Sequence, residues 1–387
     1  MPPASGRRSW NRIAGDAERS MRSRPLRVYK ELYDGVNHRL RSFAGGRLAS
    51  LCRPTWISFL LTERCNARCV HCNIWQNKGR EDPPTPEQLK DALTDLRDWL
   101  GPAHVCLTGG EALLRPYTTE LVAHGSRIGL MMELLTHGWW KDQSRIEALA
   151  RARPWRVTLS FDGLGATHDR VRGREGFFER TADSIETLKR LRSEEKLAFS
   201  VRLKTVIMSH NLHGLEEVAR FATQPGMDVL FQAIEQNYNT LEDPYWFEKT
   251  DNWPRDPEDA VAAVRNLMAL KRQGLSIANS ETQLEEMISY FRDPYGFEHR
   301  WEQISPEGRR RACGALGLFQ VQANGDVTVC YKVPPVGNIK RDRPRDIWST
   351  RPRLWESGCC REAKARETGV GYPGEAKAAE HGNGALS

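Results

Sequence analysis

The chain has 387 residues, 39% hydrophobic and 28% charged, which is enough apolar content for one large core and too much for a collagen-like or wholly disordered polymer. Its formal charge of +7 is lopsided: residues 1–53 hold twelve Arg/Lys against four Asp/Glu, so the remainder is nearly neutral and a uniformly basic nucleic-acid binder is not indicated. No apolar run reaches the roughly 18 residues of a transmembrane helix, and no apolar segment follows Arg7-Arg8, so the chain reads as cytoplasmic.

Residues 1–55 form a basic arm in which Leu26, Tyr29, Tyr33, Val36, Leu40 and Phe43 recur at helical spacing. Two readings stay open: a helix packed on the main domain, or an amphipathic helix lying on an anionic membrane or an acidic partner. Over 56–236, β-prone runs at Trp56–Leu61, His104–Leu107, Leu130–Leu135, Trp155–Phe161, Phe199–Val206 and Met227–Gln232 alternate with helical patterns at Pro86–Leu100, Thr118–His124, Gln143–Ala152, Phe178–Arg192 and Leu215–Phe221. Such alternation predicts βαβ units and a parallel sheet. The special residues all follow strands, which favours an α/β partial (β/α)6 barrel with its chemistry on the C-terminal rim.

The pattern breaks after the sixth strand. Residues 237–305 read as a loop, Asn237–Asp256, and helices at Pro257–Arg272 and Glu281–Phe291 that pack on the barrel. Residues 306–366 form a small extension containing a hairpin, Leu318–Gln322 and Asp326–Val329, joined by Ala323-Asn324-Gly325. Residues 367–387 are rich in Gly, Ala and Glu and are expected to be disordered.

The most informative segment is Cys65-Asn-Ala-Arg-Cys69-Val-His-Cys72, directly after the first strand. Three thiolates at this spacing can serve one metal centre. Zinc would need a fourth ligand, and only His71, next to Cys72, offers itself. Positions 65, 69 and 72 also share a helix face, so buried structural cysteines are the plainer alternative. Three cysteines suit an iron–sulfur cube with one iron left open.

The C-x3-C-x2-aromatic-C pattern, with His71 in the aromatic place, resembles the hallmark of the radical S-adenosylmethionine superfamily. The resemblance spans residues 56–360 and implies a [4Fe–4S] cluster on Cys65, Cys69 and Cys72 whose open iron chelates S-adenosylmethionine. Electron transfer then yields a 5′-deoxyadenosyl radical. Gly109-Gly110-Glu111 after the second strand resembles the family's GGE motif, implying a carboxylate that accepts from the cofactor's ammonium. Ser160 and Asp162, in Leu-Ser-Phe-Asp-Gly after the fourth strand, match residues that line the pocket, and strand alternation would turn both inward. His168-Asp-Arg170-Val-Arg172-Gly173 resembles a pocket wall. Lys204 is the best candidate on the fifth strand for the cofactor, Gln232 and Glu235 lie on a rim that would face substrate, and His137 is either a proton donor or a turn residue.

Cys313-x11-Gly325-x4-Cys330, with Cys359 and Cys360 beyond, resembles the SPASM/Twitch extension and implies one auxiliary [4Fe–4S] cluster. Adjacent side chains point apart, so one of Cys359 and Cys360 is expected to ligate alongside Cys313 and Cys330. Cys52 and Cys106 lack partners at useful spacing and read as buried thiols. The implied function is a radical SAM oxidoreductase, a dehydrogenase or epimerase of a small metabolite such as a sugar or cyclitol. The alternative is a peptide maturase, disfavoured here because only about 55 residues precede the barrel. A non-catalytic zinc or iron–sulfur module is the remote rival. A low-potential donor such as a flavodoxin or ferredoxin is implied, with the basic arm as its expected dock.

Overall fold

The computed structural model describes residues 25, 26, 28–41, 51–77, 82–237, 240, 243, 245–299, 313–330 and 333–351. Six parallel strands carry the architecture: β1 Trp56–Leu60, β2 His104–Thr108, β3 Met131–Thr136, β4 Arg156–Ser160, β5 Ser200–Ile207 and β6 Met227–Ala233. They neighbour one another in chain order, and the crossovers are helical. Helix α1 spans 28–41. The crossovers are α2 Pro86–Leu100, α3 Thr118–Arg127, α4 Ser144–Arg151, the short α5 Ala166–Arg172 with α6 Phe177–Glu194, and α7 Leu215–Ala222.

β2, β5 and β6 bury alternate residues, whereas β1, β3 and β4 are buried at consecutive positions as well. In β5, Val201, Leu203 and Ile207 pack beneath the helices, whereas Ser200, Arg202, Lys204 and Val206 stay partly exposed on the other side. A parallel sheet covered on both faces would show continuous apolar runs. Alternation here marks a sheet curved around a polar, open interior, the partial barrel expected from the sequence. α2 starts at a capping box between Thr85 and Gln88, with Pro86 in its first turn.

The free edge of β6 is covered by the connection between α8 (Pro257–Arg272) and α9 (Glu281–Arg292). Val229 N donates to Ser276 O at 2.9 Å, and the Asn279 side chain bonds both the N–H and the C=O of Phe231 at 2.8 Å, standing in for a neighbouring strand. A short helix, α10 Pro294–His299, follows α9.

The extension continues the same sheet. β7 Leu318–Val321 pairs in parallel with β1, then β8 Asp326–Thr328 and β9 Gly337–Asn338 follow antiparallel. Helix α11 Pro344–Thr350 returns to the start of β1, where Trp348 Nε1 donates to Cys52 O at 2.8 Å. α1 packs at that same end: Tyr29 Oη donates to Leu100 O at 2.7 Å and Tyr33 Oη to Pro54 O at 2.8 Å. The tyrosine side of α1 contacts the barrel, while Val28, Leu32 and Val36 remain exposed along one stripe. Among the described residues no helix is long and apolar enough to cross a membrane. The expected tail at 367–387, and Cys359 and Cys360 of the extension, lie outside the described residues.

Candidate metal and cofactor centre

The cysteine loop leaves the C-terminal end of β1 and is held on three sides through its own backbone groups. On one side, Gly110 N donates to Thr62 O at 2.7 Å and Glu111 N to Arg64 O at 2.9 Å. A Cβ on Gly109 would stand 2.4 Å from Thr62 O, and one on Gly110 would stand 2.4 Å from Arg64 O. Only glycine permits so close an approach. On the second side, Arg68 N donates to Arg172 O at 3.3 Å and Val70 N to Val171 O at 3.0 Å, the end of α5. Asn252 supplies the third, its amide donating to Val70 O at 3.0 Å.

Burial pushes the Cys65 thiol up to about 12 and raises Cys72 as well. Ala67 N donates toward Cys65 Sγ at 3.4 Å and Arg172 Nη1 toward Cys69 Sγ at 3.5 Å, contacts that favour sulfur bearing negative charge. Among the described residues no three His, Cys, Asp or Glu side chains converge on one point as a single metal ion requires. An iron–sulfur cube takes each thiolate at its own corner and needs no such convergence, so the donor set fits a cube better than zinc.

Glu111 is buried, and its carboxylate is met by this chain's own donors: Leu113 N at 3.0 Å, the Thr136 hydroxyl at 2.9 and 3.0 Å, and His137 N at 2.9 Å. It ties the exit of β2 to the exit of β3. His137 Nδ1 accepts from Trp139 N at 2.9 Å, which places the ring proton on Nε2, 2.8 Å from Asn66 Oδ1 in the cysteine loop. Burial lowers His137, against the pull of Glu111, so its proton braces the loop.

Ser160 is half-buried on the concave face, level with Lys204 in the β4–β5 register. Lys204 O accepts from Phe161 N at 2.8 Å, while among the described residues its ammonium meets no hydrogen-bond or ion-pair partner. Asp162 is fully buried instead. Its carboxylate accepts from Val206 N at 2.9 Å and pairs with Arg172 Nη2 at 2.5 Å. β4 ends at Ser160, so strand alternation no longer sets the direction of residue 162. Burial alone would raise Asp162, but Arg172 and His71 outweigh it and hold the carboxyl below its usual range. His71 has a buried Nδ1 without a hydrogen-bond partner among the described residues, and burial lowers its ring to about 4.

Deeper in the barrel lies a charged layer that sequence reading missed. Glu133 meets His104 Nε2 at 2.7 Å, the Thr158 hydroxyl, and Arg156 at 3.9 Å, while Arg202 holds Asp228 at 2.6 and 2.7 Å. Strand spacing carries the signal, since these residues occupy alternate inward positions. Cys106 shares that face, its thiol raised by burial. At the opposite end of β1, the fold brings Cys52 to Cys313: both pack with Leu316 between the buried guanidinium of Arg351 and that of Arg41. Cys330 follows β8 at the same end of the sheet.

The Radical SAM superfamily model matches residues 59–222. The PqqA peptide cyclase of Rhodopseudomonas palustris is 30% identical over 324 residues, 82% of this chain and 77% of that protein. The chain belongs to the radical SAM superfamily. A second relative, the AdoMet-dependent heme synthase of Methanosarcina barkeri, is 28% identical over 309 residues, 76% of this chain and 82% of that protein. Among solved radical SAM structures, Streptococcus suis SuiB superposes with a TM-score of 0.58 at 14% identity, covering 79% of this chain and 68% of its own. The anSMEcpe structure with bound AdoMet and Kp18Cys peptide gives 0.55 at 18% identity, covering 80% and 84%. Both show the same fold. The cofactors of this radical SAM enzyme are a [4Fe–4S] cluster and S-adenosylmethionine, and auxiliary clusters are typical of its SPASM-type relatives.

Proposed function

We propose that this chain is a radical SAM maturase that modifies a peptide. The observation that carries the reading is the likeness to PqqA peptide cyclase, which extends well past the 164-residue barrel match into most of the chain. The small-metabolite reading followed from the Twitch-like resemblance of the extension, and the count of residues before the barrel, which weighed against a peptide, is no property of the site. When bound, the cluster and S-adenosylmethionine supply hydrogen-abstracting chemistry at the open rim.

The chain's own residues divide the remaining work. Cys65, Cys69 and Cys72 hold the cluster, and Gly109 and Gly110 let β2 close on their loop. Lys204, its ammonium unpaired on the concave face, binds the cofactor's carboxylate, and Ser160 stands level with it. His71 offers its unpartnered Nδ1 to the bound cofactor. Glu111 and Asp162 act at one remove, the first by bracing His137 and Asn66, the second by holding Arg172. Cys313, Cys330 and one of Cys359 and Cys360 bind an auxiliary cluster at the far end of the sheet. A flavodoxin- or ferredoxin-type donor supplies the electron; of the basic arm expected as its dock, α1 packs at the end of β1 opposite the cysteine loop, about 17 Å away for five extended residues.

Tetrapyrrole modification is the second reading, favoured by the heme synthase whose length this chain covers to 82%. One experiment separates the two. The reduced, reconstituted enzyme is incubated with a deuterated peptide panel and, in parallel, with deuterated iron coproporphyrin, and deuterium is followed into 5′-deoxyadenosine. Transfer from a peptide is expected. Transfer from the porphyrin alone overturns the peptide reading.

A further inference from the structure

A buried guanidinium reaches the middle cysteine of the loop. The Arg172 side chain is 7% exposed, and its two terminal nitrogens face different partners: Nη1 reaches Cys69 Sγ at 3.5 Å and Nη2 reaches Asp162 Oδ2 at 2.5 Å. The backbone is fixed as well, since Arg172 O accepts from Arg68 N and Val171 O from Val70 N. Asp162 is anchored in turn to β5 through Val206 N. Neither charge can swing into solvent.

Burying a guanidinium costs several kcal/mol unless its hydrogen-bonding capacity and charge are met. Asp162 balances the charge, but only the guanidinium touches sulfur. A neutral thiol is a weak acceptor. The contact gains strength when that sulfur is an iron-bound thiolate. A fixed cation at this range, in a site of low dielectric, acts on the cluster's charge far more strongly than one in water.

We propose that Arg172 sets the reduction potential of the cluster held by Cys65, Cys69 and Cys72, by keeping a positive charge against the Cys69 sulfur. The inference rests on the cluster assignment above. Reduction adds one electron to the cluster's iron, supplied by dithionite in the test below, and asks for no bond change or proton from Arg172. A nearby cation stabilises the more negative, reduced state and raises the midpoint. Arg172 is a positioning residue in this role, since it acts through Cys69.

The test is a dithionite titration of full-length, anaerobically reconstituted protein, followed by the electron paramagnetic resonance signal that changes when S-adenosylmethionine is added. Arg172→Met should load the same iron and show a lower midpoint, and Arg172→Lys should lie between Met and wild type. Equal midpoints for Met and wild type, or equal shifts for Lys and Met, overturn the proposal. If Arg172→Met fails to load iron, Asp162→Asn decides, because it removes a negative charge while the backbone still fixes Arg172. The midpoint should then rise, and an unchanged or lower value overturns the proposal. A wild-type protein with no S-adenosylmethionine-responsive signal would overturn the cluster assignment itself, and the proposal with it.

Discussion

Helix α5 offers a controlled test of how the cysteine loop is held, because a glycine of positive φ flanks each end. Gly165 has φ +51° with nothing within 4 Å of an added Cβ, whereas Gly173 has φ +70° with Arg68 O only 2.2 Å away. An alanine is strained at either site, in the αL well at Gly173 (ψ 29°) and outside it at Gly165 (ψ −130°), by about 1–3 kcal/mol each. Only Gly173→Ala also drives a methyl into backbone, and the carbonyl it strikes belongs to the residue before Cys69. Arg68 must retreat by about 1 Å to reach ordinary contact, and misplacement of that size in an active site costs on the order of 10²-fold in rate. Gly165→Ala should therefore lose about 1–3 kcal/mol in urea unfolding yet keep wild-type 5′-deoxyadenosine formation. Gly173→Ala should lose stability as well, with the added cost of the clash, and form 5′-deoxyadenosine about 100-fold more slowly. A Gly173→Ala protein with wild-type turnover would show that α5 does not support the loop.

Cys69→Ala should abolish 5′-deoxyadenosine formation, and near wild-type release measured by chromatography would remove the cysteines from the chemistry. Cys313→Ala/Cys330→Ala should lose about four of about eight irons while keeping the signal that responds to S-adenosylmethionine; an unchanged iron count would refute the auxiliary site. Burial lowers His168 to about 3, so the folded chain keeps it neutral where the unfolded chain, titrating near 6.5, takes up a proton. Its contribution is complete above about pH 6.5 and is lost as pH falls toward 3, at up to about 1.4 kcal/mol per pH unit. His168→Gln should flatten the decline in urea stability of the metal-free protein between pH 7 and pH 5, and an unaltered slope would refute it.

The sequence reveals the barrel because its signal is periodic. Val201, Leu203 and Ile207 against Arg202, Lys204 and Val206 announce one covered face, and the strand starts at Trp56 and His104 match the structure. It hides α5, which has seven residues and too few apolar positions to show a 3.6-residue period. It also hides the pairing of β7 with β1, where Trp56 meets Leu318 across the intervening chain. Cys52 and Cys313 come together for the same reason, with no spacing to announce it. Asp162 and Glu111 read as pocket carboxylates because composition cannot show that Val206 N, Arg172, Thr136 and His137 already engage their oxygens.

These hidden features share one cause. The cysteine loop has little regular structure and few apolar side chains of its own, so its buried backbone groups need partners from elsewhere in the chain. Residues 62 and 64 find them at Gly110 and Glu111, residue 68 at Arg172, and residue 70 at Val171 and Asn252. Two motifs about sixty residues apart thereby converge on a single loop. Each needs glycine for the same physical reason: at Gly109, Gly110 and Gly173 a side chain would occupy the space of a loop carbonyl. Motifs that read in sequence as cofactor contacts also support, in the structure, the segment that carries the thiols. Their substitution should consequently disturb iron loading before it disturbs the affinity for S-adenosylmethionine, an order that a purely ligand-contacting role would reverse.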